Sequence, residues 1–356
     1  MMCDYNIVKI ERNQANMKKW LIFIFIISVV IISFIFTGCG AAKPYDYNLS
    51  DYVALANYKG VEVSTAKIEE TMENNINSLL EEHKTSLEIT DRPTKKGDVV
   101  VIDFIGTMGG EAFDGGTANN YEVELGSGAL IDGFEDGLIG KNIGEQVKLE
   151  LNFPDDYEVN PDLSGKRVDF DVTIKSISEV IIPKLTDEFI STLENSKFQT
   201  VEEYKADLRN SAKRNLVWQN IVDNSTILKF PKKEVKAYYD KMVKNYETMA
   251  VSQYNTTLPK FIQYYMGSDV DSFLNSLLET SKMQSKKDII LYSIARNENI
   301  TYESDDYDEI ALDYAKSYGY ETLEQFKAQY GTNEVNRSVL SEKVVKYVTE
   351  SSVEVK

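Results

Sequence analysis

The stretch Gly97–Gly140, GDVVVIDFIGTMGGEAFDGGTANNYEVELGSGALIDGFEDGLIG, reads as strands and turns built around a buried apolar face. Val100, Ile102 and Phe104 fall on one side of a strand, because alternate side chains share a face. The Gly109-Gly110 pair supplies the positive backbone angles of a two-residue hairpin, and the returning chain carries Phe113 and Asp114. Tyr121, Val123 and Leu125 then alternate with Glu122 and Glu124, which predicts a strand with one dry face and one wet face. A glycine turn follows at Gly126 and Gly128. Ile131, Phe134 and Leu138 recur at helical spacing, which predicts a short helix laid on the sheet.

Working outward, Val147, Leu149, Leu151 and Phe153 alternate with polar residues, as do Val168, Phe170, Val172 and Ile174. Alternation this clean predicts an antiparallel sheet covered on one side. Pro93 and Gly97 open the unit and Ser176–Pro183 closes it, so a domain is expected over 91–180.

In the order VIDFIG, FDGG, LGSGALIDGFEDGLIG and VDFDVTI, these segments resemble an FKBP-type peptidyl-prolyl isomerase domain of the variety found in trigger factor chaperones. The resemblance implies an α+β protein, with an FKBP-like half-barrel of antiparallel strands wrapped on a short helix. It implies catalytic roles for Phe104, Asp114, Ile131 and Phe170, and substrate contacts from Phe113, Tyr121, Leu130, Phe134 and Tyr157. Two features depart from the family pattern. Phe134 stands where many members have tryptophan, and Asp155–Gly165 is shorter than the loop that closes over ligand in the smallest members. Taken singly, each aromatic also fits the core of a small barrel.

The chemistry suits that residue set. An Xaa-Pro bond isomerises over a barrier of about 18–20 kcal/mol set by amide resonance. No nucleophile is required. An apolar pocket disfavours the charge-separated planar amide, while a fixed backbone donor, expected at Ile131, holds a substrate carbonyl.

The composition excludes other chemistries. A formal net charge of -18 argues against a nucleic-acid partner. One histidine, His83, and two cysteines, Cys3 and Cys39, form no zinc cluster and no catalytic triad, so neither metal nor cofactor is expected.

At the N-terminus, Lys18 and Lys19 precede the apolar run Trp20–Phe36, followed by Thr37-Gly38-Cys39. This pattern predicts an export signal over 1–38, with Met17 as the expected true start. Phe-Thr-Gly-Cys resembles the bacterial lipobox, which implies lipidation of Cys39. An uncleaved membrane anchor is the alternative, because the run approaches the roughly 17–25 residues that span a bilayer. Either way the bulk of the chain is expected at the extracytoplasmic face of the cell membrane.

Residues 39–90 read as a tether, rich in Tyr45, Tyr47 and Ser50, and then a helix. Ser64 and Thr65 suit its cap, and Ile68, Met72, Ile76, Leu79 and Leu80 form its apolar stripe. This region carries no basic loop of the kind expected for ribosome binding. Residues 181–356 read as all-helical. Thr200-Val201-Glu202-Glu203 and Thr322-Leu323-Glu324-Gln325 are capping boxes, Ser285–Asn297 predicts a helix, and Val335, Val339, Leu340 and Val344 mark the last one. PKLTDEFI and TVEEYKADLR in this region resemble the trigger factor chaperone domain. The tyrosines and methionines from Tyr238 to Met266, with Tyr239, Met242, Tyr246, Tyr264 and Tyr265 among them, fit two readings: an adaptable client surface or a helical core. Asp305, Asp306, Asp308 and Glu309 lack the glycine and spacing of a calcium loop and read as a solvated helix start.

The expected function is therefore a foldase assisting unfolded or newly exported polypeptides that contain Xaa-Pro bonds, tethered to the membrane through a lipid anchor. A non-catalytic holdase with a peptide-binding FKBP fold is the alternative. A ribosome-associated cytosolic chaperone is a third reading, opposed by the apolar run before Cys39.

Overall fold

The computed structural model describes residues 45–193 and 196–356, whose strands are β1 (Val53–Ala54), β2 (Glu62–Ser64), β3 (Thr85–Ile89), β4 (Asp98–Met108), β5 (Glu111–Glu124), β6 (Gln146–Asn152), β7 (Arg167–Ile181), β8 (Thr226–Ile227) and β9 (Val353–Val355). The helices are α1 (Thr65–Glu82), α2 (Phe134–Gly137), α3 (Asp187–Thr192), α4 (Val201–Asn224), α5 (Lys232–Tyr254), α6 (Leu258–Tyr265), α7 (Val270–Asn297), α8 (Tyr307–Ser317), α9 (Leu323–Tyr330) and α10 (Thr332–Glu350). They divide into two compact units, one of residues 74–204 and one assembled from 45–73 and 205–356.

In the first unit β7 is the spine of an antiparallel sheet. β4 pairs along one of its edges, while β6 and β3 lie end to end along the other. β4 turns into β5 through Gly109 and Gly110, whose φ values of 62° and 88° are left-handed, with Met108 paired to Glu111. The alternating residues Val100, Ile102, Phe104, Val123, Leu125, Val147, Leu149, Val168, Phe170, Val172 and Ile174 are all buried in one cluster. Removing each such side chain from water contributes roughly 1.5–3 kcal/mol, which makes this alternation the main determinant of register.

Three features of this unit differ from the sequence reading. The helix expected across Ile131–Leu138 is one turn, Phe134–Gly137, because Gly133 adopts φ 86° immediately before it. β3, whose alternation is limited to Leu87 and Ile89, buries only Ile89 and is exposed along the rest of its length, so its pairing with β7 makes it a strand. The third is a break in the β4–β5 ladder. Thr107 pairs with Ala112 but Ile105 pairs with Thr117, so Phe113-Asp114-Gly115-Gly116 bulges out of β5.

The second unit is mainly helical. α1 begins in it, with Ile68 and Met72 buried. α4, α7 and α10 supply most of its largest core through Val217, Ile221, Ile289, Ile294, Val344 and Val348. α7 extends well upstream of the expected Ser285–Asn297, with Asp269 capping it through a bond accepted from the Ser272 N–H. Both capping boxes form: Glu203 N–H donates to Thr200 Oγ1, and Thr322 and Gln325 exchange bonds at the start of α9. Asp306 precedes α8 and pairs with Lys343 at 2.8 Å, so the acidic run is a helix start.

The segment 45–55, expected as a tether, is instead core. Tyr45, Leu49 and Val53 are buried among the helices, the Tyr47 carbonyl accepts from Arg296 at 2.8 Å, and β1 pairs with β8. The physical reason is that tyrosine buries its ring while its hydroxyl finds a partner, so a tyrosine-rich irregular segment can enter a core without any periodic signal. β2 pairs in parallel with β9, and Arg209 bridges Glu69 and Glu354, tying the two ends of this unit together. Between 238 and 266 the core reading holds for most side chains. Tyr239, Met242, Tyr246 and Met266 pack around Ile262, Phe273 and Leu277, whereas Tyr264 and Tyr265 are 79% and 54% exposed.

Candidate functional site

The first unit gathers its aromatic side chains at one place on the sheet. Phe104 on β4, Phe134 on α2 and Phe170 on β7 are buried and mutually in edge contact, with ring centroids 5.7 Å apart for Phe104–Phe134, 5.7 Å for Phe104–Phe170 and 5.0 Å for Phe134–Phe170. This trio is the floor. Phe113, Tyr121, Leu130, Ile131 and Tyr157 pack against the buried cluster that contains this trio while remaining partly exposed, with Tyr121 touching Phe104 and Phe113 touching Phe170, and they are the candidate wall and rim. Edge-to-face packing fixes ring orientations beyond what burial alone does, so the floor is preorganised.

Each rim residue is positioned by a local device. Phe113 points onto the floor because the bulge at 113–116 re-aims it. Its ring lies directly over Gly106 and Gly116, where an added Cβ would come within 2.7 Å of the ring at either position. Tyr121 follows Asn120, whose φ of 53° forms a second irregularity in the ladder. The Asn120 N–H donates to Asp103 Oδ1 at 2.7 Å, and with Lys175 it holds that carboxyl below its ordinary range. Tyr157 sits in the short loop before β7, where its N–H donates to Ser164 Oγ and its ring lies 4.9 Å from Phe153.

Of the residues expected from sequence, Phe104, Phe113, Tyr121, Leu130, Ile131, Phe134, Tyr157 and Phe170 thus converge on one cluster. Asp114 is exposed in the bulge, next to Phe113 in the chain. Cys39 and the apolar run Trp20–Phe36 lie outside the described residues; among the described residues no helix is long and apolar enough to cross a membrane. Phe153 was read only as a strand residue, yet it contacts both Phe113 and Tyr157. Its position at the end of an alternating strand, pointing to the same face as Leu149, was the available signal. Gly106 and Gly116 left no pattern in the sequence that distinguishes them from turn glycines.

The floor is entirely apolar, and among the described residues the wall adds the hydroxyls of Tyr121 and Tyr157. Such a site can bind an apolar ring, exclude water and present hydrogen-bond donors.

Comparison with known proteins matches both parts of the chain to described families. The family of FKBP-type peptidyl-prolyl cis-trans isomerases matches residues 90–175, and the family described as bacterial trigger factor protein C-terminus matches residues 190–350. Trigger factor of Acetivibrio thermocellus is 31% identical over 335 residues, covering 89% of this chain and 75% of that protein. Trigger factor of Lachnoclostridium phytofermentans is 32% identical over 329 residues, covering 88% and 74%. A solved structure of the trigger factor chaperone aligns over 84% of this chain and 72% of its own, with 17% identity and a TM-score of 0.32.

Proposed function

Because the chain belongs to the trigger factor family, we propose that it is a foldase for exported polypeptides, held at the outer face of the membrane by its N-terminal segment. The enzymatic part is a peptidyl-prolyl cis-trans isomerase, carried by the first unit, and the family binds unfolded polypeptide.

In the pocket described above, a proline ring enters over Phe104, Phe134 and Phe170 and leaves its preceding carbonyl at the rim. There water is displaced from the planar amide, whose charge-separated resonance form loses solvation, while the twisted amide loses little. A rim donor that keeps hold of the carbonyl lowers the barrier further. Ile131 supplies that donor, since its N–H follows the turn 126–130 and its side chain packs on the buried cluster that holds the floor. Phe113, Tyr121, Leu130 and Tyr157 contact the ring and its neighbours. Asp114 acts at the pocket mouth, where its carboxylate orients the twisted amide or the pocket's own side chains.

The observation that carries the outer-face reading is the sequence Lys18-Lys19, the run Trp20–Phe36 and Thr37-Gly38-Cys39. In this reading Cys39 carries the lipid, with the two or more acyl chains that stable anchoring needs. Metabolic labelling with a fatty acid tests this directly. The wild-type chain is expected to take label and to be cleaved by added protease on intact spheroplasts, while Cys39→Ala loses the label. Protease resistance in spheroplasts, together with co-sedimentation on ribosomes, would replace the proposal with a ribosome-associated role.

A further inference from the structure

Glu135 is a buried carboxylate that no part of the reaction described above uses. It follows Phe134 in α2, and each of its oxygens faces the turn that leads to the pocket rim. The N–H groups of Gly126 and Gly128 donate to Oε2 at 2.7 and 3.0 Å, and the Leu130 N–H donates to Oε1 at 3.1 Å. The Ser127 hydroxyl donates to Oε1 at 3.3 Å, and the Ala129 N–H donates in turn to that hydroxyl oxygen. Burial pushes this carboxyl up, but the N–H groups of Gly128, Leu130, Gly126 and Ala129 outweigh it and hold it below its ordinary range.

A set of converging N–H groups of this kind is a ready-made anion site. Here the chain fills it with its own anion. The left-handed backbone at Gly126 and Gly128, with φ 91° and 73°, is what lets the N–H groups converge. The turn they form has almost no apolar side chains with which to pack. Without the carboxylate, ordering it would cost about 1–2 kcal/mol per residue with nothing to offset that cost.

The consequence lies one residue further on. Leu130 is held through its N–H by Glu135, and the Ile131 carbonyl accepts from the Phe134 N–H at 3.0 Å. The peptide between them is therefore gripped from both sides. Its own N–H, that of Ile131, donates to no group among the described residues. We infer that Glu135 is a positioning residue of the isomerase: its carboxylate clamps the turn 126–130 so that the Ile131 N–H is aimed at the carbonyl of the bound Xaa-Pro segment. The inference rests on the isomerase reading of the pocket and adds to it the group that makes the rim donor rigid.

The test uses the full chain and an Xaa-Pro peptide whose exchange is followed by NMR. Glu135→Gln keeps the size of the side chain but turns one acceptor into a donor facing N–H groups. Its kcat is expected to fall by roughly tenfold to a hundredfold, the scale of a small misplacement in a site, while KM changes little because the aromatic floor is intact. The Ile131 amide signal should move while amides of β4 and β7 stay in place. Glu135→Asp, which keeps the charge, should recover part of the rate. Ser127→Ala should lose less than about twofold, since only the weakest contact goes. In the wild type, kcat and the Ile131 signal should hold as pH falls through the ordinary glutamate range and change together only below it, because the folded carboxyl titrates low. Asp98 and Asp103 also titrate low, so where Glu135→Gln does not fold the titration counts for Glu135 only if the amides bonded to those two, Lys95 and Asn120, hold while Ile131 moves. A Gln variant with wild-type kcat, or a rate loss that merely tracks the unfolded fraction, overturns the inference, as does a wild-type Ile131 signal indifferent to low pH. Wild-type protein that never exceeds the uncatalysed rate instead refutes the isomerase reading itself.

Discussion

In the isomerase unit the buried glutamate, Glu135, is met by backbone N–H groups and titrates low, whereas in the helical unit Glu334 is buried against an arginine that it shares with Asp288, with only the charge of Lys241 besides, and titrates high. Glu334 and Asp288 both lean on Arg337, at 3.0 and 2.5 Å, and Asp288 also accepts from the hydroxyls of Tyr238 and Tyr45. Burial pushes the Glu334 carboxyl up to about 7, Arg337 and Lys241 pull it down, and Asp288 pushes it up again. Fixed dipoles aimed at one group serve that group completely. A cation divided between two carboxylates leaves one of them undersupplied. The first arrangement suits a part that must hold one geometry for chemistry. The second gives a helical framework a buried group that changes charge near neutral pH.

The contrast is broken most forcefully at Arg337. Arg337→Met leaves Asp288 without its cation in a buried site, and the helical unit is expected to lose about 3–5 kcal/mol in a denaturant melt followed by helical circular dichroism. A loss under about 1 kcal/mol would mean that water reaches the cluster and that the two units do not differ as described.

The pH dependence comes next in size. Glu334 has a folded pKa raised to about 7, so it binds a proton in the folded chain that the unfolded chain has released. Its contribution is complete below the unfolded value near 4.3 and is lost as pH rises through 7, on the order of 3–4 kcal/mol in all. The helical unit is therefore expected to be more stable at pH 5 than at pH 8, and Glu334→Gln should flatten that slope. The low carboxyls Glu298 and Glu354, both near 2, act in the opposite sense but only below the ordinary glutamate range. A wild-type melt with no slope between pH 5 and 8 removes the switchable group.

In the isomerase unit the sharpest probe is Gly106→Ala. Its Cβ would lie 2.6 Å from Phe170 and 2.7 Å from Phe113, so two pocket rings must move, at about 1–3 kcal/mol for overpacking. Isomerase rate should fall more than stability does, and aggregation suppression should be unchanged. Equal wild-type rates would show that these rings are packing alone. The smallest expected effect is at the caps: Thr322→Ala removes the side chain that accepts from the Gln325 N–H and should cost about 1 kcal/mol by thermal melting, with no change in isomerisation.

Much of the isomerase unit was legible because burial on a sheet has a period of two. Val168, Phe170, Val172 and Ile174 announce their face, and Gly109-Gly110 announces the hairpin, since both signals are local. The capping boxes at Thr200 and Thr322 were legible for the same reason. What could not be read locally was any arrangement that depends on a distant partner. β3 is a strand only because β7 offers an edge. Tyr45 enters the core because Asp288 and the helices lie there to receive it. The Phe113–Gly116 bulge exists because the ladder resumes at Thr117. Sequence alone therefore determined which strand faces of the isomerase unit would be dry and where its hairpin would turn, because side-chain periodicity and turn chemistry are properties of neighbours. Only the tertiary structure decided that Glu135 would be wrapped by N–H groups and Glu334 left to share an arginine, because the environment of a buried charge is set by whatever the fold brings to it.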